Sequence, residues 1–207
     1  GADFIEGIDT EEKMIRLGQE LFQELNIAKE KYSMAVGNAL EYLENIEEGS
    51  FDTVLCLGML YYTTEPYRLL KLMLRAAKET VILDTFTAAY AAIQGKEAPQ
   101  VYESVNEETL KLPILLTALT QPEKKDYTLP HSFDYRSKDL SLITLPSAEL
   151  LEIWFQSLNA QFKKMDWSTY GTRPCTYHDL LTPDQKKSSH WADVYTSGIR
   201  VSYLLHK

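Results

Sequence analysis

The chain has 207 residues, of which 44% are hydrophobic and 25% charged, a balance typical of a globular protein with one sizeable core. The formal net charge of −9 opposes nonspecific attraction to nucleic-acid backbones. No apolar run approaches the roughly 18 residues that a membrane-spanning helix needs, so no membrane partner is expected. Because the chain has only two cysteines, Cys56 and Cys175, we expect a reducing, cytoplasmic location.

The first predicted elements are a strand at residues 4–9 and the helix that follows it. The strand ends at Asp9, and Asp9 or Thr10 can cap the helix because a short side-chain oxygen accepts the free N–H groups of the first turn. Gly18 costs roughly 1 kcal/mol relative to alanine inside this helix, which a close approach to a sheet would explain. Apolar residues recur at intervals of three and four and predict one apolar stripe: Met14, Leu17, Leu21 and Leu25.

Short apolar strands and amphipathic helices then alternate as far as residue 86. The pattern predicts strands at 32–36, 53–57 and 80–83, and helices at 39–47 and 65–78. Such alternation is typical of βαβ units. We therefore predict an α/β fold with a Rossmann-like, doubly wound, mostly parallel sheet.

The pattern changes after residue 86. Residues 87–94 and 107–120 are predicted to be helical, with a bend at Pro113, and we interpret 87–141 as an inserted lid or substrate-binding segment. A helix at 146–158 and strands at 162–167 and 199–205 complete the chain, and the two strands are expected to form an antiparallel hairpin. The predicted division is an α/β core at 1–86, the insertion at 87–141 and the C-terminal part of the same α/β domain at 142–207.

Polar or glycine residues follow three of the predicted strands, at the edge where open α/β sheets bind ligands. The Asp9 carboxylate can accept hydrogen bonds from both hydroxyls of a ribose, with a helix cap as the alternative. Asn38 follows the second strand, and its amide can both accept a hydrogen bond from a ligand and donate one to it. A role in a turn is the alternative. Gly58 follows the third, and its lack of a side chain lets a ligand approach the backbone. Tyr61 and Tyr62 come next and can face a ligand, and the alternative is that both rings only pack in the protein.

The segment 51–85, FDTVLCLGMLYYTTEPYRLLKLMLRAAKETVILDT, closely resembles the fourth-strand to fifth-strand unit of class I S-adenosylmethionine (SAM)-dependent methyltransferases. The resemblance covers residues 3–86 and, more weakly, 146–207. It implies SAM as cofactor and methyl transfer by direct displacement. It also implies that the cofactor is held by Asp9, Thr10, Met14, Asn38, Ala39, Cys56, Leu57 and Gly58, and that Tyr61, Tyr62, Thr85 and Tyr135 face the methyl acceptor.

Shorter stretches are similar to the branch of this family that builds 5-carboxymethoxyuridine at the tRNA wobble position. They are residues 142–147, before a helix that contains Trp154, and residues 177–181, followed by Pro183 and Asp184. This similarity makes tRNA a possible partner. We favour a small-molecule acceptor because the chain is acidic and because an inserted lid rich in tyrosine and apolar side chains suits a small or flat substrate.

One part of the family pattern, the glycine-rich loop after the first strand, has no counterpart here. In the family's sheet the first strand lies between the second and the fourth. We therefore expect the first strand and its helix to be missing from this chain, which would leave two strand edges unpaired at a cost of about 1–3 kcal/mol for each buried backbone group. A segment upstream could supply them, a second chain or another segment could fill the gap, or the strands at 4–9 and 53–57 could pair directly.

Two other functions are alternatives. An NAD(P)-binding Rossmann oxidoreductase would use Asp9 in the same way, but its last strand would continue the parallel sheet, whereas an antiparallel strand at 199–205 favours the methyltransferase. A non-catalytic, methyltransferase-like partner subunit would explain the lack of a glycine-rich loop. No catalytic residue or metal site is predicted, because the four histidines lie far apart without Cys or carboxylate at ligand spacing.

Overall fold

The computed structural model describes residues 2–90, 107–120, 133–135, 138–166, 195 and 198–207. Among these residues no helix is long and apolar enough to span a membrane. Two 3-10 turns, Lys29–Lys31 and Leu60–Tyr62, accompany the regular elements. In chain order these are β1 (Ile5–Asp9), α1 (Glu12–Glu24), β2 (Tyr32–Val36), α2 (Ala39–Asn45), β3 (Phe51–Leu57), α3 (Pro66–Ala76), β4 (Ala77–Phe86), α4 (Glu107–Leu110), β5 (Leu115–Thr120), β6 (Phe133–Tyr135), β7 (Lys138–Pro146), α5 (Ala148–Ser157), β8 (Gln161–Lys164) and β9 (Arg200–His206).

The main sheet has four strands in the order β3-β4-β9-β8. β3 runs parallel to β4, whereas β9 lies antiparallel between β4 and β8. The predicted antiparallel pairing of the last two strands is therefore confirmed. The direction of β9 also disfavours the NAD(P)-dependent alternative, which would continue with parallel strands.

The core lies where α3 and α5 pack against this sheet. α3 begins with Pro66, which the first helical turn tolerates because its N–H would be unpaired there anyway. The inner positions of β4, Val81, Leu83 and Thr85, are fully buried. On the α5 side the ring of Phe155 packs on Tyr203 of β9 with ring centroids 5.0 Å apart. The alternate residues of β4 that face these helices thus form the centre of the core.

β1 and β2 form a separate two-stranded parallel sheet. Among the described residues β1 makes no ladder with β3, so the predicted gap in the middle of the sheet is confirmed and direct pairing of these two strands is wrong. The edge of β1 away from β2 and the edge of β3 away from β4 are both left without a strand in the part of the chain that the structure describes.

The surfaces beside this gap are apolar and exposed. Leu55 and Leu57 on one face of β3 are 61% and 59% exposed. Gly18 of α1 approaches the sheet closely, as predicted, because a Cβ placed there would lie 3.0 Å from the sulfur of Met34. The predicted apolar stripe of α1, however, is not covered by β1 and β2. Its four members, Met14, Leu17, Leu21 and Leu25, are 44–62% exposed.

The insertion after residue 86 differs from its predicted secondary structure. The helix expected at 107–120 is wrong, because only Glu107–Leu110 is helical and Leu115–Thr120 forms strand β5. β5 and β6 both pair antiparallel with β7 in a third sheet. β7 runs from Lys138 to Pro146 and so crosses the predicted division at residue 141. Residues 88–90 are helical as expected, whereas 91–94 lie outside the described residues.

Arg75, near the end of α3, caps the C-terminal end of α2. Its Nη2 donates to the backbone carbonyls of Leu43, Glu44 (3.1 Å) and Ile46 (3.0 Å). The last carbonyls of a helix have no partner inside the helix. One guanidinium therefore joins the helix that follows β2 to the helix that follows β3.

We expect Arg75→Leu to lower the free energy of unfolding by about 2–3 kcal/mol, because it leaves partly buried carbonyls without a donor. Arg68→Leu on the same helix is the control. Arg68 pairs with Glu65 and Glu44 on the surface, where such pairs contribute about 0–1 kcal/mol. Urea denaturation measures both, and equal losses for the two variants would contradict the capping role.

Candidate functional site

The backbone turns sharply at Gly58, directly after β3. Gly58 has a φ of 71°, a conformation that side-chain-bearing residues rarely adopt. Its N–H donates to the carbonyl of Asp84 at 2.8 Å, which ties the ends of β3 and β4 together. A Cβ placed at Gly58 would lie 3.2 Å from Nη2 of Arg200 and 3.6 Å from the hydroxyl of Tyr61. Backbone, guanidinium and phenol therefore meet at the carboxyl ends of β3 and β4.

A buried carboxylate, that of Asp84, lies beneath this turn. It accepts hydrogen bonds from the Nε of Arg200 and the hydroxyl of Ser202, both in β9, and from the hydroxyl of Tyr195 at 3.2 Å. A buried charge is tolerated when it is paired and hydrogen-bonded. These donors thus explain how an acidic residue can stand inside an apolar strand.

Aromatic side chains form one wall of the site. The ring of Tyr61 lies 4.4 Å from that of Tyr62 and 4.9 Å from that of Phe86, between centroids. Phe86 in turn stacks on Tyr90 at 4.6 Å. Burial, followed by the interaction with Tyr62, raises the pKa of the Tyr61 hydroxyl well above its usual value, so Tyr61 remains protonated at neutral pH.

The insertion covers this aromatic wall. Ile143 and Leu145 of β7 pack with Tyr61 in a small apolar cluster. The hydroxyl of Thr144 donates to the backbone carbonyl of Thr63 at 2.7 Å. β7 is therefore fixed against the turn that carries Tyr61 and Tyr62, on the side where a ligand at Gly58 would meet it.

The predicted residues on the other side of the gap stand at the ends of β1 and β2. Asp9 is exposed, and its Oδ1 accepts the N–H of Glu11 at 2.8 Å. α1 begins at Glu12, and its N-cap residue is Glu11. The expectation that Asp9 or Thr10 is the N-cap is therefore wrong. Asn38 is the N-cap of α2, and its Oδ1 accepts the N–H of Leu40 at 2.9 Å.

The remaining predicted site residues differ in the solvent exposure of their side chains. Cys56 is only 2% exposed and lies in the core, where burial raises the pKa of its thiol to about 12. Thr85 is fully buried and donates its hydroxyl to the carbonyl of Phe86 at 3.2 Å. Tyr135 lies in β6, where it stands opposite Lys138 of β7 in the strand ladder. Thr10, Met14 and Leu57 are exposed, and Ala39 is half-buried at the start of α2.

The predicted site is thus divided between two sheets of the fold. Gly58, Tyr61 and Tyr62 lie together on the β3–β4 side. Asp9, Thr10, Met14, Asn38 and Ala39 lie on the β1–β2 side. The β3 side fits a cofactor that approaches the backbone closely, because the space beside Gly58 is one that a Cβ would fill. The exposed carboxylate of Asp9 fits a ribose, because its Oδ1 alone is engaged by Glu11.

Sequence reasoning missed Asp84 and Arg200. The signal for Asp84 was a carboxylate inside an apolar strand, since a charged residue in such a run requires a partner. No local pattern indicates Arg200, which lies 116 positions from Asp84. A separate open cleft of about 340 Å³ is lined by Thr87, Lys111, Glu149 and Lys164 among others, and by none of the predicted site residues.

We expect Gly58→Ala to destabilise the protein by about 1–3 kcal/mol and to disturb the position of Arg200, since the new methyl group meets both a positive φ and the guanidinium. Gly198→Ala is the matched control. Gly198 has a φ of 74°, but nothing lies within 4 Å of its added Cβ. Thermal unfolding compares the two variants. A loss at Gly58 no larger than that at Gly198 would mean that close packing adds nothing there.

Comparisons with known proteins agree with this architecture. A family profile described as a methyltransferase domain matches residues 2–128. No curated protein sequence matches the chain. A SAM-dependent methyltransferase of Mesorhizobium loti has a TM-score of 0.55 and 10% identity, with 100% of this chain and 82% of that chain covered.

Two further solved structures are similar. One is a proposed SAM-dependent methyltransferase of Listeria monocytogenes, with a TM-score of 0.56, 14% identity and 100% and 81% of the two chains covered. The other is a complex of the Haloferax volcanii Trm112 methyltransferase activator with a proposed methyltransferase, with a TM-score of 0.55, 13% identity and 100% and 72% of the two chains covered. At these identities the neighbours establish the fold alone. Since the family profile spans more than half of the chain, the chain belongs to the class I SAM-dependent methyltransferases, whose cofactor is SAM.

Proposed function

We propose that this protein transfers a methyl group from SAM to a small-molecule acceptor, by direct displacement, in the cytoplasm. The observation that carries the proposal is the meeting of the Gly58 backbone with Arg200 and Tyr61 at the carboxyl ends of β3 and β4. Open α/β sheets bind ligands at this edge. The β5–β7–β6 sheet packs over the same place, as a substrate-binding cover would.

Asp9 and Asn38 are the proposed contacts for the nucleoside part of the cofactor. A carboxylate accepts two hydroxyl donors, which suits both hydroxyls of a ribose, and an amide both accepts from and donates to an adenine edge. Gly58 and Leu57 would contact the methionine part through their backbone. Of Cys56, only the backbone is proposed to take part, because its thiol lies in the core. Bound SAM supplies a methyl group on a sulfonium, which a nucleophile can displace without a covalent enzyme intermediate.

The acceptor side is proposed to consist of Tyr61, Tyr62 and the covering insertion, including Tyr135. These groups would orient a small or flat acceptor and exclude water, and orientation is the main contribution that such a transfer needs. Tyr61 is a hydrogen-bond donor in this role and does not serve as a base, because burial keeps its hydroxyl protonated at neutral pH. A nucleobase is the alternative acceptor of similar shape.

We further propose that a strand and helix from outside residues 1–207 complete the sheet between β1 and β3. Three observations support this: β1 and β3 are not paired with each other, Leu55 and Leu57 are exposed, and the apolar stripe of α1 is exposed. Clusters of exposed large apolar side chains are typical of interaction sites. A preceding segment of the same protein is the favoured source and a partner chain the alternative.

The first test is calorimetric titration of the full-length protein with SAM and with its demethylated product, S-adenosylhomocysteine. Asp9→Asn keeps the Oδ1 that accepts from Glu11 and removes the charge. We expect a loss of affinity of about 10- to 100-fold, since a hydrogen bond to a charged group contributes about 1.5–3 kcal/mol. Glu20→Gln, an exposed α1 carboxylate paired only with Arg16 among the described residues, is the control.

If the full-length protein binds neither compound, the proposed catalytic function is wrong. The second candidate, a non-catalytic partner subunit with the methyltransferase fold, is then favoured by the gap in the sheet. If binding occurs but Asp9→Asn matches the control, the cofactor is held without Asp9, and only the role of that residue is lost.

A second experiment tests whether the gap is filled. Leu55→Lys in the full-length protein is expected to lower the free energy of unfolding by about 2–4 kcal/mol if a segment covers β3, because a charge would then be buried. Ile153→Lys is the control, since Ile153 is 46% exposed on α5, the helix that precedes β8 at the other end of the main sheet from β3. Equal changes within about 0.5 kcal/mol in urea denaturation would mean that this face of β3 remains open to water.

A further inference from the structure

Arg200 is held in a fixed orientation at the edge of the site. It opens β9 opposite Phe86 of β4, and its guanidinium carbon lies 5.0 Å from the centre of the Phe86 ring. Its Nε donates to Asp84, whose side chain is 9% exposed. A guanidinium is planar and rigid, so one hydrogen bond and one aromatic contact suffice to set the direction of its other donors.

One terminal nitrogen of Arg200, Nη2, lies beside Gly58. The Arg200 side chain also retains 25% exposure. Within the described residues the hydrogen bond that the structure gives Arg200 is made by Nε. Two terminal nitrogens carry four N–H groups, which match the two oxygens of a carboxylate in a bidentate pair.

We propose that Arg200 anchors a carboxylate of a molecule bound at this site. The inference rests on the proposed methyltransferase function and adds a specificity residue to it. The charge count favours a carboxylate over a phosphate. Arg200 and Asp84 together are neutral, so any bound anion leaves excess negative charge beside the Asp84 carboxylate. A carboxylate leaves one such charge and a doubly charged phosphate two, so the repulsion is smaller for the carboxylate.

A purely structural role for the Asp84–Arg200 pair is the competing explanation. β4 and β9 are already joined by a continuous antiparallel ladder from Thr80↔His206 to Phe86↔Arg200. A buried ion pair adds little net stability to such a ladder, because desolvation offsets the attraction. Ser202 and Tyr195 also donate to the same carboxylate. A guanidinium with a partly exposed face is therefore better explained by a ligand than by strand pairing.

The carboxylate can come from the methyl acceptor or from the amino-acid end of SAM, and two arms of one experiment distinguish them. The variants are Arg200→Lys and the double variant Asp84→Asn/Arg200→Gln, which avoids an unpaired buried carboxylate. Arg68→Gln on the surface is the control. Thermal unfolding of each full-length variant verifies the fold.

The cofactor arm compares S-adenosylhomocysteine with 5′-methylthioadenosine, which lacks the amino-acid group. If Arg200 holds the cofactor's carboxylate, the double variant loses at least 10-fold in affinity for the first compound and less than 2-fold for the second. The acceptor arm titrates wild-type protein, with and without S-adenosylhomocysteine, with acetate and with neutral acetamide. It follows the Nε resonance of Arg200, assigned by its loss in Arg200→Lys.

A saturable shift of this resonance with acetate but not acetamide, in protein saturated with S-adenosylhomocysteine, supports an acceptor carboxylate. A shift that acetate causes only without S-adenosylhomocysteine supports the carboxylate of the cofactor. No effect in either arm, in a protein that binds S-adenosylhomocysteine, overturns the inference and leaves the methyltransferase function standing. Failure of the wild type to bind S-adenosylhomocysteine overturns the proposed function instead, whatever acetate does.

Discussion

Among the residues that the structure describes, one backbone edge of β1 and one of β3 have no neighbouring strand, and the rest of this structure depends on that constraint. Buried N–H and C=O groups must be paired, because each orphan costs about 1–3 kcal/mol. The residues proposed to hold the nucleoside lie beyond one edge, and Gly58 lies beyond the other. Whatever pairs with both edges therefore fixes the distance between the two halves of the site. By linkage, a ligand that contacts both halves also stabilises the completed sheet.

The second determinant is the way β4 and β9 end together. β4 lies in the core, yet it carries the buried Asp84 two residues before the strand ends at Phe86. The carboxylate is tolerated because β9 lies antiparallel beside β4 and brings Arg200 and Ser202 to it. A parallel last strand would present its carboxyl end at this edge, with different residues. The polar end of an otherwise apolar sheet is thus a consequence of strand direction, and it coincides with the edge where a ligand would bind.

The sequence predicts β3 and the centre of β4 well because both are short apolar runs next to α3, a helix with clear periodicity. β4 nevertheless begins at Ala77, inside the helix predicted at 65–78. The helix predicted at 107–120 failed because Leu115–Thr120 is set by its pairing with β7, a contact between distant residues that no local pattern encodes. The same reason hides Arg200. Asp84 and Arg200 meet only because the fold places β9 beside β4, whereas Gly58 was visible as a glycine directly after an apolar strand.

The acidity of the chain limits what an anchor such as Arg200 can do. A net charge of −9 repels anions at a distance, although salt screens this repulsion beyond about 8–10 Å. Nucleic acids gain affinity by pairing many phosphates with Lys and Arg, which an acidic surface does not favour. One guanidinium beside Gly58, already paired with Asp84, instead suits a single charge at short range. A small acceptor, or the cofactor itself, needs no more than that. The charge of the whole chain and the geometry of this one residue therefore favour the same class of ligand.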